Sequence, residues 1–419
     1  MAVSTLCAVV QGFTSNALTV IFKPLAADLG FTRAVTSGAA AIARLEGGLE
    51  APLCGWLVDR FGPKWVMFAG ISFIGAGLLL MNSIQSVWAY YLVWGVLIAS
   101  GNNLALTIPI DKIITNWFIK KRGIALGIKF ASIGVGGIAV VPIITWLTTS
   151  YGWRMACQTW GIISFLSLLL IIFFIKQRRP EHYGLLPDGA RSDTDESAND
   201  LVSKGIQYAN ESQETEFTLR QSMKTRAYWI LLIATSGAGM VHGAINLHLI
   251  PFITDMGISA TVAGLMLSLF NLSTIPARLF GGIFADRVKK EYLQYLLAAS
   301  FLIQTIGIAA VFIMPNITTV YVFLILFGLG SGAATPISVL IRGRYFGRKA
   351  YGSISGVTSL ITAPFGIISP IWTGWVYDAT GNYETAFAVF AGLALLSVLL
   401  VCAVRPPKPP PVTDTSKFM

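Results

Sequence analysis

Apolar residues gather along this chain in long runs separated by short polar loops. A helix crossing a bilayer needs about 20 mostly apolar residues. Such runs lie near 2–22, 35–57, 64–84, 88–114, 124–148 and 155–175. They resume near 227–252, 261–284, 292–313, 317–341, 353–376 and 384–404. The pattern predicts an all-α membrane protein of twelve transmembrane helices in two six-helix halves. Helices are required because backbone facing lipid must satisfy its hydrogen bonds within its own segment. The first run lacks a basic flank and is too long for a cleaved signal peptide. Its start almost at Met1 points to residues missing upstream.

The runs divide the chain into a first half, 1–175, a polar linker, 176–226, a second half, 227–404, and a tail, 405–419. The linker contains "RSDTDESAND" and "ANESQETE" and reads as a flexible connector. Its last part, "TLRQSMKTRAYW" (218–229), predicts a short helix at the membrane surface. The tail "RPPKPPPVTDTSKFM" is proline-rich and reads as disordered.

Composition agrees with lipid as the solvent. Only 12% of residues are charged and 54% are hydrophobic, whereas soluble domains carry roughly 25% charged residues. The net charge of +10 follows from topology. With the linker placed inside, inner loops and tail hold 24 of the 30 Lys and Arg, which puts both termini in the cytoplasm and the protein in the plasma membrane. No nucleic-acid partner is needed to explain the charge. The four cysteines are scattered without metal-type spacing, so no metal or cofactor is expected. No P-loop is present to power transport with ATP.

The chain also repeats itself. "GWLVDRFGPK" (55–64) is echoed by "GGIFADRVKK" (281–290), "NWFIKKRGIALG" (116–127) by "RYFGRKAYGSISG" (344–356), and "SYGWRMA" (150–156) by "ATGNYETAF" (379–387). All three recur at nearly one offset, as expected of two parallel halves around a cavity. On these residues the sequence resembles the major facilitator superfamily, above all at Gly55, Asp59, Arg60 and Gly62. The resemblance implies that fold over the whole chain. It implies that Asp59, Arg60, Asp286 and Arg287 gate the inner face; a purely topological role for them is the alternative.

"FKPLAADLGFTRA", "WFIKKRGIALGI", "YGWRMA" and "RPEHYGLLPDG" resemble bacterial relatives of the monocarboxylate transporters, with the oxalate/formate antiporters nearby. Arg278 occupies the place where that group carries an arginine in its eighth span, so the resemblance assigns it the substrate carboxylate. Physics points the same way. Arg278 lies eight residues before Asp286, about 12 Å along a helix. A guanidinium there costs several kcal/mol unless it meets water, a partner or an anion, and its planar fork matches a carboxylate. Thr274 and Asn271 share its face, and Asn103 and His248 are further candidates to contact substrate. A permanent bridge to a protein carboxylate is the alternative.

Other ionisable residues fall in spans two, four, five and seven, and none in the interiors of three, six, nine and twelve. Glu46 and Glu50, one helical turn apart, are candidate proton carriers or partners of Arg44 and Lys129. His242 is a third candidate. Asp111 and Lys112 read as residues at the water interface. Asn102, Gln11 and Asn16 are weaker cavity candidates. Where the animal monocarboxylate transporters place an aspartate one turn before the arginine, this chain has Thr274, so that proton site does not carry over.

The expectation is a secondary transporter, not an enzyme, moving a small organic anion by alternating access as a monomer. A lactate-like monocarboxylate with proton symport comes first, an oxalate/formate-type exchanger second. A drug exporter is disfavoured by an arginine in the site, and a non-transporting anion receptor by the lack of an output domain.

Overall fold

The computed structural model describes residues 20–21, 24–31, 33–176, 178–183, 185–189 and 215–409. Within them every regular element is helical. The long helices are α1 (Arg33–Phe61), α2 (Pro63–Leu80), α3 (Val87–Trp117), α4 (Arg122–Tyr151) and α5 (Trp153–Phe174). After a short helix, α6 (Leu219–Met223), come α7 (Arg226–Asp255), α8 (Ala260–Arg287), α9 (Leu293–Ile313), α10 (Ile317–Phe346), α11 (Tyr351–Thr380) and α12 (Glu384–Ala403). Among the described residues nine helices are long and apolar enough to cross a membrane. Helices α1 and α4 are as long, and α1 carries Arg44, Glu46, Glu50, Asp59 and Arg60 along its length. The run at 2–22, with Gln11 and Asn16, lies outside the described residues except for positions 20 and 21.

Boundaries follow local chemistry. Gly62, at φ 84°, separates α1 from α2, and Pro63 opens α2, a first-turn position where its missing N–H costs nothing. Gly152, at φ 86°, separates α4 from α5, a backbone region glycine tolerates. Thr225, Ser259 and Asn316 cap α7, α8 and α10 with side-chain oxygens. In α3, Pro109 removes a backbone donor, and the preceding stretch Asn103–Thr107 relaxes into a π-helix.

The predicted surface helix over 218–229 is shorter than expected. A reciprocal cap between Thr218 and Gln221 opens α6, and α7 starts at Arg226. The linker is not free at its ends. Asp188, at φ 61°, accepts the backbone N–H groups of Ile119, Lys120 and Lys121. Phe217 is buried edge-on to Phe346, which also meets Tyr228. Segment 190–214 lies outside the described residues.

Two seams matter for function, α1 against α11 and α4 against α8. Both close on glycine. A Cβ at Gly55 would sit 2.1 Å from the Gly352 carbonyl oxygen, and one at Gly123 would sit 2.3 Å from that of Gly282. Only hydrogen side chains admit such backbone approach.

Candidate functional site

The closed end of the bundle is held by two carboxylates placed alike. At the end of α1, Asp59 accepts the N–H groups of Gly352 and Ser353 at the start of α11, at 3.1 and 2.7 Å, and the Ser353 hydroxyl at 2.8 Å. At the end of α8, Asp286 accepts the N–H groups of Gly123 and Ile124 at the start of α4, at 2.6 and 2.8 Å. Helix N-termini offer unpaired N–H groups and a positive dipole end, so a carboxylate fits both. Each aspartate keeps a cation from its own side of the seam, Lys112 of α3 for Asp59 at 2.7 Å and Arg344 of α10 for Asp286 at 3.2 Å.

Arg60 and Arg287 take no part in these bonds. Both are exposed, and Arg60 lies over the rings of Trp56 and Phe61. Lys112 corrects the interface reading: it is 5% exposed and bridges Asp59 to the carbonyls of Arg348 and Lys349. Asp111, also buried, pairs with Lys129 at 2.7 Å. Lys129 is therefore a partner of Asp111 and not of Glu46 or Glu50.

A third attachment comes from the linker. Glu181 pairs with Arg348 at 3.2 Å, both nearly fully buried, and Arg348 also donates to the Asn116 carbonyl. The signal for this pair was the acidic residue in "RPEHYG", which hydropathy alone assigns to a loop.

One turn beyond the Gly282 contact, Arg278 faces α4. Its Nη1 donates to the Phe130 carbonyl at 3.0 Å, and Gly134 leaves room for the guanidinium. Its Nε is buried without a hydrogen-bond partner, and among the described residues no carboxylate pairs with it. The His242 ring stacks on Phe327 at 6.0 Å between centroids and lies within electrostatic range of Arg278. The Asn246 amide donates to His242 Nε2 at 3.0 Å. The ring proton then belongs on Nδ1, which is buried without an acceptor. Arg278 and His242 thus present two buried donors that nothing among the described residues accepts.

The remaining candidates divide. Asn271 is exposed and its amide turns back to Leu267. Thr274 is buried against Gly332, and its hydroxyl closes on the Asn271 carbonyl, so it offers Arg278 no shared polar face. His248 points elsewhere: its Nε2 bonds the Pro370 carbonyl at 2.9 Å and its Nδ1 meets the Tyr383 hydroxyl at 3.3 Å. Burial pushes the Tyr383 phenol up to about 12, so it stays protonated and donates. Both ring nitrogens of His248 are occupied.

On α1, Glu46 accepts the Ser100 hydroxyl at 2.7 Å and the Asn103 amide at 3.2 Å. Glu50 lies beside it with Oε2 buried and unpartnered. Asn103 also lines a cavity of about 360 Å³ together with Arg44, Thr107 and Ser359. Asn102 bonds the carbonyl of Ile98.

A helical bundle closed by paired carboxylate latches, with a charged interior, is the architecture of a secondary transporter. The sequence matches the family model described as Major Facilitator Superfamily over residues 4–363 and 250–418, and the chain belongs to that family. It is 25% identical to "Monocarboxylate transporter 13" of Rattus norvegicus over 83% of this chain and 74% of the relative. It is 24% identical to the "Uncharacterized MFS-type transporter YcxA" of Bacillus subtilis (strain 168), over 92% and 90%. The structure superposes on that of the human organic anion transporter MFSD10 (TETRAN) with a TM-score of 0.72 at 14% identity, covering 96% and 98% of the two chains. At that identity the likeness speaks for the fold alone.

Proposed function

We propose that this member of the family is a proton-coupled symporter of a small, lactate-like monocarboxylate, working by alternating access. The observation that carries this reading is Arg278, a cation in a membrane helix whose buried Nε has no partner, and which pairs with no carboxylate, among the described residues. A buried donor left unmade costs about 1–3 kcal/mol, more when charged. A carboxylate entering between Arg278 and His242 Nδ1 removes that cost at both donors. The similarity to monocarboxylate transporters supports the same choice of cargo.

The coupling proton is assigned to the α1 carboxyls. A proton on Glu46 or Glu50 supplies the donor that Glu50 Oε2 lacks and relieves the repulsion of two carboxylates one turn apart. In this reading the Asp59 and Asp286 loops face the cytoplasm of the plasma membrane, as do both termini, and Asp59 and Asp286 hold that face shut.

The test is uptake of labelled lactate into proteoliposomes with and without an inward proton gradient. Gradient-driven uptake that falls at least about 100-fold in Arg278→Gln, the cost of roughly 3 kcal/mol of lost binding, is the expected result. Uptake only with formate or oxalate inside means exchange. Gradient-driven uptake unchanged in Arg278→Gln removes Arg278 from the site.

A further inference from the structure

We infer that Arg44 forms a second anion-binding station, at the α1–α11 seam, separate from Arg278 and nearer the open side of the bundle. This rests on the anion-transporter reading for its cargo, though not for the existence of the site.

The register of the seam places Arg44. Starting from the closed end, Gly55 meets Gly352, Ala51 meets Gly356 and Gly48 meets Ala363; a Cβ on Gly48 would come within 2.5 Å of the Ala363 Cβ. Arg44 is the next position on that stripe, one turn beyond Gly48. There α1 and α11 part: Gly366 has nothing within 4 Å of where a Cβ would stand. The lipid-facing stripe is a different one, marked by exposed Leu45, Leu49, Leu53 and Trp56. Arg44, itself exposed, lies on the seam stripe and not on that one. It lines the cavity of about 360 Å³ whose polar wall is Asn103, Thr107 and Ser359.

Among the described residues its charge has no bonded partner. Arg44 makes no hydrogen bond or ion pair with any described residue. Glu46 is occupied by Ser100 and Asn103, and Asp111 by Lys129. A lone arginine in a membrane helix facing a polar cavity calls for water or an anion. The Ser359 hydroxyl adds a donor of the kind a small carboxylate takes. The two arginines stand at corresponding seams but different depths, Arg278 about one turn and Arg44 about three turns from the glycine contacts at Gly282 and Gly55. An anion coming from the open side meets Arg44 first and Arg278 deeper.

The test uses single cysteines in the cavity wall, Ser359→Cys and, as a second reporter, Thr107→Cys. Each is reacted with an anionic (sulfonatoethyl) and a cationic (trimethylammonioethyl) methanethiosulfonate and read at that site by peptide mass spectrometry. With Arg44 present the anionic reagent is favoured. Arg44→Gln is expected to lower the anionic-to-cationic rate ratio about tenfold, the scale of charge focusing in a cleft, while Arg44→Lys retains it. An unchanged ratio in Arg44→Gln at both reporters overturns the site. Protection by lactate or oxalate should survive Arg278→Gln and vanish in Arg44→Gln. Protection lost with Arg278→Gln alone overturns the separate station. A ratio that responds to Arg44 with no protection by any carboxylate keeps the station and rejects the carboxylate cargo.

Discussion

Asp59 and Asp286 each spend their two oxygens on the exposed N–H groups of a helix belonging to the opposite seam partner. Hydrogen bonds to a charged group contribute about 1.5–3 kcal/mol apiece, so losing one carboxylate and at least two such bonds should shift the closed-to-open ratio at least about 100-fold. Asp286→Ala is expected to expose the closed end, read as faster modification of a cysteine placed at buried Ile354. Asp286→Asn, which keeps one acceptor, should fall between. The Asp111–Lys129 pair has a different role. It joins α3 to α4 in a nearly water-free setting, where removing one partner strands a charge. Asp111→Asn should lower stability by about 3–5 kcal/mol, and adding Lys129→Met should restore most of it. Thermal unfolding in detergent checks both.

At the scale of elements, the seams depend on glycine. Gly55→Ala puts a methyl 2.1 Å from the Gly352 oxygen, and backbone on both sides cannot yield. The expected outcome is a folded protein whose closed end stays open and whose transport is lost, whereas Gly239→Ala, with nothing within 4 Å, should transport normally. The linker is an element of the same end. A buried ion pair adds little stability on balance, so Glu181–Arg348 matters for which state it belongs to: it ties the segment after α5 to the loop before α11. Glu181→Gln should raise the same Ile354→Cys reactivity several-fold, and Glu181→Gln with Arg348→Gln should do so without loss of yield. Hydropathy and the repeat made the helices and both aspartates legible, because each is a local pattern. Lys112 was visible only as a charge at the inner end of the fourth span, and Arg344 and Arg348 only as basic residues in a loop, since what they bind lies far away in sequence. Thr274 shows the converse error. Spacing put it on the Arg278 face, but Gly332 lets α10 approach and cover it, a fact of packing that no periodicity records.

The molecule as a whole is a pair of helical sets that meet closely at one end and part towards the other, with Arg278 and Arg44 at successive depths between them. The sequence identified Arg278 by its charge within an apolar run. It could not identify Arg44 as unpaired, because Glu46 and Glu50 stand close by in the chain and only the fold gives Glu46 to Ser100 and Asn103. The latches carry one more consequence. Each aspartate has its cation on its own side of the seam, Lys112 or Arg344, and only neutral backbone amides and the Ser353 hydroxyl reach Asp59 and Asp286 across it. Parting the helices at the two aspartates breaks hydrogen bonds but separates no opposite charges; the buried pair that this end does divide is Glu181–Arg348. Charge moved through a membrane field costs about 2.3 kcal/mol per unit charge per 100 mV, and this step moves almost none. The two aspartates should therefore add no voltage dependence to opening, which leaves Glu181–Arg348 and the cargo as the sources of any electrical signature of the transport cycle.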